Sequence, residues 1–159
     1  SEMCIRDRPS GVELANIAIG IAQNAKKLGY IPKVAILSYS NFGNPSGSNT
    51  ETIYDCLKIL EKRKVSFEFD GEMTAEVALD YNLIKENYPF CKLSGPANVL
   101  IMPDLYSANI SFKLLQKMEN LSVIGPIMIG GNNPFQIVQM GASVSDIVNS
   151  ACISTYNSL

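Results

Sequence analysis

The sequence contains no histidine. That removes every Ser-His or Cys-His nucleophile pair, every histidine-ligated metal site and the commonest general base. Cysteine is sparse: Cys4, Cys56, Cys91 and Cys152 lie far apart and form no CxxC pair. Their spacing offers neither a zinc site nor a dense disulfide framework. Cys56 and Cys152 read as small buried hydrophobes, and this cysteine usage fits a reducing, cytoplasmic setting. Basic residues number 13 against 15 acidic ones, for a net charge of −2. No basic stripe interleaves with aromatics, so nucleic acid is not an expected partner. Charge is missing altogether from Asn120 to Ser145. Gly125-Pro126, the run Gly130-Gly131-Asn132-Asn133-Pro134 and Gly141 interrupt that stretch, so it cannot be one continuous lipid-facing helix. It reads as buried strands joined by loops, and no membrane partner is expected. A secretory leader is not expected either, because charges stand near the N-terminus where its apolar core would be.

What is present suits a globular domain. The 159 residues are 47% apolar and 18% charged, and mean hydropathy is +0.10. Such a chain buries a sizeable core and is not disordered. It opens on Ser1 rather than Met, as a fragment or a processed product would. Residues 1–8, Ser-Glu-Met-Cys-Ile-Arg-Asp-Arg, follow neither the helical nor the strand period. They read as a non-native, adapter-derived leader, with native protein upstream lost, and stand outside the fold reasoning.

From Pro9 the pattern becomes regular. Ser10-Gly11-Val12-Glu13 is a capping box opening a helix whose apolar face is Leu14, Ile17, Ala18, Ile21, Ala25 and Leu28. Gly29 stops it. Val34 to Leu37 is a short, wholly apolar run, as expected of a strand buried on both faces. A polar loop leads to Ser48-Asn49-Thr50-Glu51, a second capping box, and a helix with Ile53, Leu57 and Leu60 inward. Val65 to Phe69 alternates as a strand and turns at Asp70-Gly71. A helix from about Thr74 carries Val77, Ala78, Tyr81 and Ile84 on one face. Val99 to Met102 is a strand stopped by Pro103, after which Ser107 caps a helix with Ile110, Leu114 and Met118 aligned. Ile124, Ile127 to Ile129 and Phe135 to Val138 supply the last strand material. Ser143-Val144-Ser145-Asp146 is a third capping box, opening a helix with Ile147, Ala151 and Tyr156. Helices alternating with short apolar strands predict an α/β fold, a mostly parallel sheet with helices on both faces.

In such folds ligands bind beyond the carboxyl ends of the strands, which singles out three segments. The loop after Leu37 is rich in Ser, Gly and Asn and ends at a helix. Ser40, Asn41, Gly43, Ser46 and Gly47 would let a phosphate or other anion approach backbone N–H groups, although the same composition suits a solvated connection. The loop after Met102 contributes Asn109, and its helix carries Lys113 and Lys117 four apart. These could meet an anion or simply form a solvated face. In the third segment Asp146 is the only charged side chain from Asn120 to the end, either a helix cap or a carboxylate kept for chemistry.

The ordered motifs Leu37-Ser38-Tyr39-Ser40-Asn41-Phe42-Gly43, Asp70-Gly71-Glu72-Met73, Leu93-Ser94-Gly95-Pro96-Ala97-Asn98-Val99-Leu100-Ile101-Met102-Pro103, Ile124-Gly125-Pro126 and Asp146-Ile147-Val148-Asn149 resemble the phosphate acetyl/butyryl transferase family. Ser-Tyr-Ser-Asn-Phe-Gly at 38–43 and the stretch from Tyr88 to Asn98 favour the branch found as the phosphotransacetylase-like C-terminal domain of bacterial NADP-dependent malic enzymes. The likeness runs from Pro9 to the C-terminus, so residues 9–159 would be the C-terminal part of such a domain.

The resemblance implies an isocitrate/isopropylmalate dehydrogenase-like fold with two α/β lobes, of which this chain is an incomplete fragment. Family enzymes move an acetyl group between phosphate and the coenzyme A thiol, using Ser-Arg-Gly after the final strand and an Asp farther on. Aligned on Gly125-Pro126, Pro134 and Asp146-Ile147-Val148-Asn149, this chain has Gln139-Met140-Gly141 there, and Lys117 where many members carry a phosphate-binding Arg. Of that set only Asp146 is retained, so no catalytic residue is assigned with it. The resemblance thus implies an acyl-CoA/phosphate cleft touching Ser40, Asn41, Gly43, Ser46, Gly47, Asn109, Lys113, Lys117, Gln139 and Asp146, with poor acyl transfer. It also implies acetyl-CoA as effector, a homo-oligomer, and NADP and a divalent metal confined to an upstream malic-enzyme domain. A working phosphate acyltransferase, with Asp146 as base and Lys113 or Lys117 on phosphate, and a pure assembly scaffold are the rival readings.

Overall fold

The computed structural model describes residues 8–45, 50–118, 123–131 and 135–157. Most of the expected leader (1–7), Ser46, Gly47 and the expected cap Ser48-Asn49 lie outside the described residues. The chain forms two compact units, Ser1–Ile110 and Ser111–Leu159.

In the first unit the capping box at Ser10 forms as the sequence predicts. The Ser10 amide donates to Glu13 Oε2 at 2.8 Å, and the Glu13 amide donates to Ser10 Oγ at 3.3 Å. Helix α1 (Gly11–Lys27) follows. Its buried face is Leu14, Ala15, Ala18 and Ala22, with Ile21 and Ala25 packed against the same core. Of the expected stripe, Ile17 and Leu28 are exposed instead, and Ala15 and Ala22 take their share of the contact. The reason is close helix packing: small side chains bring α1 against α2 (Glu51–Lys62), and a Cβ on Gly11 would stand 2.7 Å from Asp55 Cβ. Thr50 occupies the N-cap position of α2.

Strand β1 (Lys33–Leu37) is the middle of a three-stranded parallel sheet, flanked by β2 (Glu68–Met73) and β3 (Val99–Ile101). Alternate residues of β1 enter opposite cores. Val34 and Ile36 pack with α1, α2 and β3, whereas Ala35 and Leu37 pack with Met73, Val77, Ala78 and Ile84. Both faces are thus covered, as the apolar run predicts.

Strand β2 differs from expectation. Asp70-Gly71 is not a turn; it lies inside the strand, with Ala35 opposite Asp70 and Ile36 opposite Gly71. The Asp70 carboxylate takes the Gly71 amide at 2.9 Å and the Lys92 amide at 2.7 Å, which fixes the segment as extended chain. The register then shifts so that Leu37 faces Met73. A bulge of this kind re-aims a side chain, and here it turns Glu72 inward, where it is fully buried. Next come α3 (Ala75–Leu79) and α4 (Tyr81–Asn87) in place of one expected helix. The Asp80 side chain breaks the run by accepting the Asn82 and Leu83 amides at 2.9 and 3.2 Å, a cap that outcompetes continuation.

Helix α5 (Leu105–Leu115) begins after Asp104, not Ser107: Asp104 Oδ1 accepts the Ser107 amide at 2.7 Å. In the second unit, α6 (Val144–Asn157) opens on the expected Ser143–Asp146 box. The expected final strands are not formed among the described residues, where 123–131 and 135–140 hold no ladder. Instead the Gln136 side chain clasps Met128, accepting its amide at 2.9 Å and donating to its carbonyl at 3.3 Å. An amide side chain supplies the two bonds that a neighbouring strand would supply. Cys56 is buried as expected, but Cys152 is exposed on α6.

Candidate functional site

The carboxyl end of β1 runs into a tight turn, Asn41 to Asn44, closed by two backbone bonds of 3.0 Å between those residues. Phe42 and Gly43 both have positive φ, 49° and 91°, the pattern of a type I′ turn. A non-glycine residue there needs outside support, and β2 supplies it. The Phe42 amide donates to the Glu72 carbonyl at 2.8 Å, and the Gly43 amide donates to Glu72 Oε1 at 2.9 Å. Ser40 Oγ donates to the same oxygen at 2.7 Å, and Asn41 Oδ1 accepts the Thr74 amide at 2.8 Å. Among the described residues, Glu72 Oε2 is buried without a hydrogen-bond partner. Of the sequence candidates, Ser40, Asn41 and Gly43 therefore come together, with those polar groups turned toward β2. Glu72 organises them. It belongs to the Asp70-Gly71-Glu72-Met73 motif, but nothing local marks it for burial, since a glutamate beside Asp-Gly reads as surface; the bulge buries it.

Beside this turn is a cavity of about 290 Å³ at the carboxyl ends of β1 and β3, lined by Ser38, Tyr39, Glu51, Thr52, Pro103 and Asp104, with Arg8. This is the position in which α/β sheets bind ligands. The Ser107 amide bond holds the Asp104 carboxyl below its ordinary value, and nearby Arg8 adds to the effect. Sequence reading passed over Glu51, Thr52 and Arg8, the last because it ends the segment set aside as a leader. Asn109 lines neither this cavity nor the one below and is exposed.

Within the second unit a cavity of about 380 Å³ is lined by Gln116, Lys117, Gly125, Ile137, Gln139, Met140, Asp146 and Ser150, among others. Lys117, Gln139 and Asp146 are thus brought together, and Lys113 joins them: its Nζ is 3.3 Å from Gln139 Oε1 and 3.3 Å from Gln116 Oε1. Asp146 is committed to its helix. Its Oδ2 accepts the Ser143 hydroxyl at 2.7 Å and the Ser143 amide at 2.9 Å, and these bonds pull its carboxyl below the ordinary 3.8. Met140 is fully exposed. Among the described residues, Lys117 lines this wall with Lys113 at its edge on Gln116 and Gln139, and no arginine lines it. Ser150, which also lines this cavity, stands one helical turn beyond Asp146 and went unnoticed in the sequence.

Among the described residues no helix is long and apolar enough to cross a membrane, and no cluster of three or more Cys, Asp or Glu has the arrangement of a metal site.

The family model described as "Phosphate acetyl/butaryl transferase" matches residues 2–155. The chain belongs to this family. Among its transferase-family relatives, the NADP-dependent malic enzyme of Rhizobium meliloti is 50% identical over 157 residues, covering 99% of this chain and 20% of that protein. The phosphate acetyltransferase of Helicobacter pylori is 37% identical over 153 residues, covering 96% of this chain and 30% of that one. A solved phosphotransacetylase from Streptococcus pyogenes superposes with a TM-score of 0.88 at 30% identity, covering 98% of this chain and 47% of the other. The chain thus spans a fifth to about half the length of these relatives. It has the α/β phosphotransacetylase fold, with parallel strands and helices on both faces, as the motifs led one to expect.

Proposed function

We propose that this chain is the phosphotransacetylase-like part of an NADP-dependent malic enzyme, a domain that holds acetyl-CoA or a related acyl-CoA and supports a homo-oligomer without transferring the acyl group. The observation that carries this reading is the wall of the second-unit cavity, where Gln139 and Met140 stand beside Lys117 and a cap-bound Asp146. Acyl transfer between phosphate and a thiol needs a phosphate clamp and a base. A thioether cannot pair with phosphate, and lysine offers a point charge in place of arginine's two-pronged fork. An aspartate held low in pKa by its own cap is a weak base toward a thiol of pKa about 8.5. Losing one preorganised electrostatic clamp costs on the order of a hundredfold in rate, and here several are absent together. Exposed apolar side chains on α6, Val144, Ile147 and Val148, support the assembly role.

In the whole protein, malate would be oxidatively decarboxylated to pyruvate by an upstream domain that carries the NADP and divalent-metal sites, in the cytoplasm. Acetyl-CoA would act by differential affinity for two quaternary states. The rival reading, an active phosphate acyltransferase with Asp146 as base and Lys113 or Lys117 on phosphate, draws on Lys117 and Asp146 lining one cavity, with Ser150 beside them. Two measurements on the full-length protein decide. Calorimetry is expected to show acetyl-CoA binding, and a coupled assay with acetyl phosphate and coenzyme A is expected to show negligible turnover. No binding sinks the sensing role, and ordinary transferase rates would establish the rival.

A further inference from the structure

The buried Glu72 carboxylate reaches the strand-end cavity through two serine hydroxyls, and the direction of every proton in that path is fixed. A backbone N–H can only donate, so the Gly43 amide, 2.9 Å from Glu72 Oε1, makes that oxygen an acceptor. Ser40 Oγ, 2.7 Å from the same oxygen, gives it the hydroxyl proton. Ser40 is fully buried and has only one proton, so toward Ser38 it offers a lone pair. Ser38 Oγ lies 3.2 Å from Ser40 Oγ and must be the donor of that contact. Ser38 stands in the wall of the 290 Å³ cavity with its own proton spent inward. A serine hydroxyl ordinarily rotates to suit either kind of neighbour; this one is held as an acceptor.

We propose that Glu72, acting through Ser40, is a positioning residue for the strand-end cavity: it turns Ser38 so that the ligand group received there is a hydrogen-bond donor, an N–H or a hydroxyl, and not a bare phosphate oxygen. Tying that group to acyl-CoA, whose pantetheine amides and ribose hydroxyl are donors, rests on the reading under Proposed function; the orientation of Ser38 does not.

The test is calorimetry with acetyl-CoA on the full-length protein, with thermal denaturation alongside. Ser38→Ala is expected to weaken binding about five- to tenfold, the worth of one hydrogen bond, with the melting temperature unchanged. Ser38→Thr, which keeps a hydroxyl, is expected to restore affinity. Ser40→Ala frees the Ser38 rotor and is expected to weaken binding by a similar factor, and the double variant to be no worse than either single one. Competition by pantetheine and by adenosine, each alone, reports which part of the ligand donates. Unchanged affinity in Ser38→Ala, or additive losses in the double variant, overturns the proposal. If the unaltered protein binds no acetyl-CoA, the acyl-CoA reading fails by itself. The relay is then judged by NMR of the free protein: a slowly exchanging Ser40 hydroxyl proton, close to the Gly43 amide and lost in Glu72→Ala, upholds it, and its absence refutes it.

Discussion

Ser143 and Asp146 cap each other across the first turn of α6. The Asp146 carboxylate takes the Ser143 amide and hydroxyl, and the Asp146 amide donates to Ser143 Oγ at 3.2 Å. The lone acid of the C-terminal region is therefore also the group on which its helix begins.

This reciprocity sets a pH dependence. The Ser143 hydroxyl bond, and then its amide bond, lower the Asp146 pKa below 3.8. A carboxyl whose pKa is lower folded than unfolded adds stability above its unfolded value and loses that stability as pH falls through its folded value. Helicity of α6, followed by NMR amide shifts, is expected to be steady above pH 4 and to decline only in more acidic solution. Ser143→Ala is expected to cost about 1 kcal/mol in urea denaturation, the usual worth of an N-cap, and to bring that decline to higher pH.

Gly71 sits where nothing larger fits. A Cβ there would lie 2.7 Å from the Ile36 carbonyl oxygen and 3.0 Å from Ile36 Cβ, between two paired strands that cannot move apart without losing their ladder. Gly71→Ala is expected to destabilise the protein by about 2–3 kcal/mol, in the range of an overpacked core, read as a lower urea midpoint with an unchanged slope.

If Gln139 and Met140 are what silence acyl transfer, restoring the chemistry should be visible. The double substitution Gln139→Ser and Met140→Arg is expected to raise coupled acetyl phosphate/coenzyme A turnover at least tenfold over the unaltered protein and to improve binding of inorganic phosphate. No gain in either measurement would count against that pair as the cause.

The thiols should separate by burial. Desolvation pushes Cys56 up to about 12 and Cys91 up to about 11, and only the thiolate is an efficient nucleophile. Cys152 is exposed. With iodoacetamide at pH 8 and peptide mapping, Cys152 is expected to be alkylated well before Cys91, and Cys56 only on unfolding. Early modification of Cys56 would contradict its place in the core.

Much of the fold was legible in the sequence because burial on both faces leaves a plain mark. Val34 to Leu37 could be little else than a central strand, and Ser10-Glu13 and Ser143-Asp146 announce their helices. What escaped depends on partners far away in the chain. The bulge that buries Glu72 exists only opposite Ile36 and Leu37, so Asp70-Gly71 looks locally like a turn. The inward face of α1 follows its small residues because α2 comes close, a distance that periodicity alone does not encode. Apolar runs after Met118 resemble strands, yet Ile124, Ile129, Phe135 and Ile137 remain exposed, since a strand also needs a neighbour's backbone. In the candidate sites, residue types were legible but commitments were not. Ser40 looked like a ligand contact and spends its proton on a glutamate 32 positions away.

The middle strand of the sheet answers to two masters. Successive side chains of Val34–Leu37 are gripped from opposite sides, so any slippage by a single residue would exchange what each layer holds, and neither layer would tolerate the trade. The polar bend that leaves its far end is thereby surveyed from two directions at once, like a mast stayed on both sides, and Ser38 inherits that fixity without owning any of it.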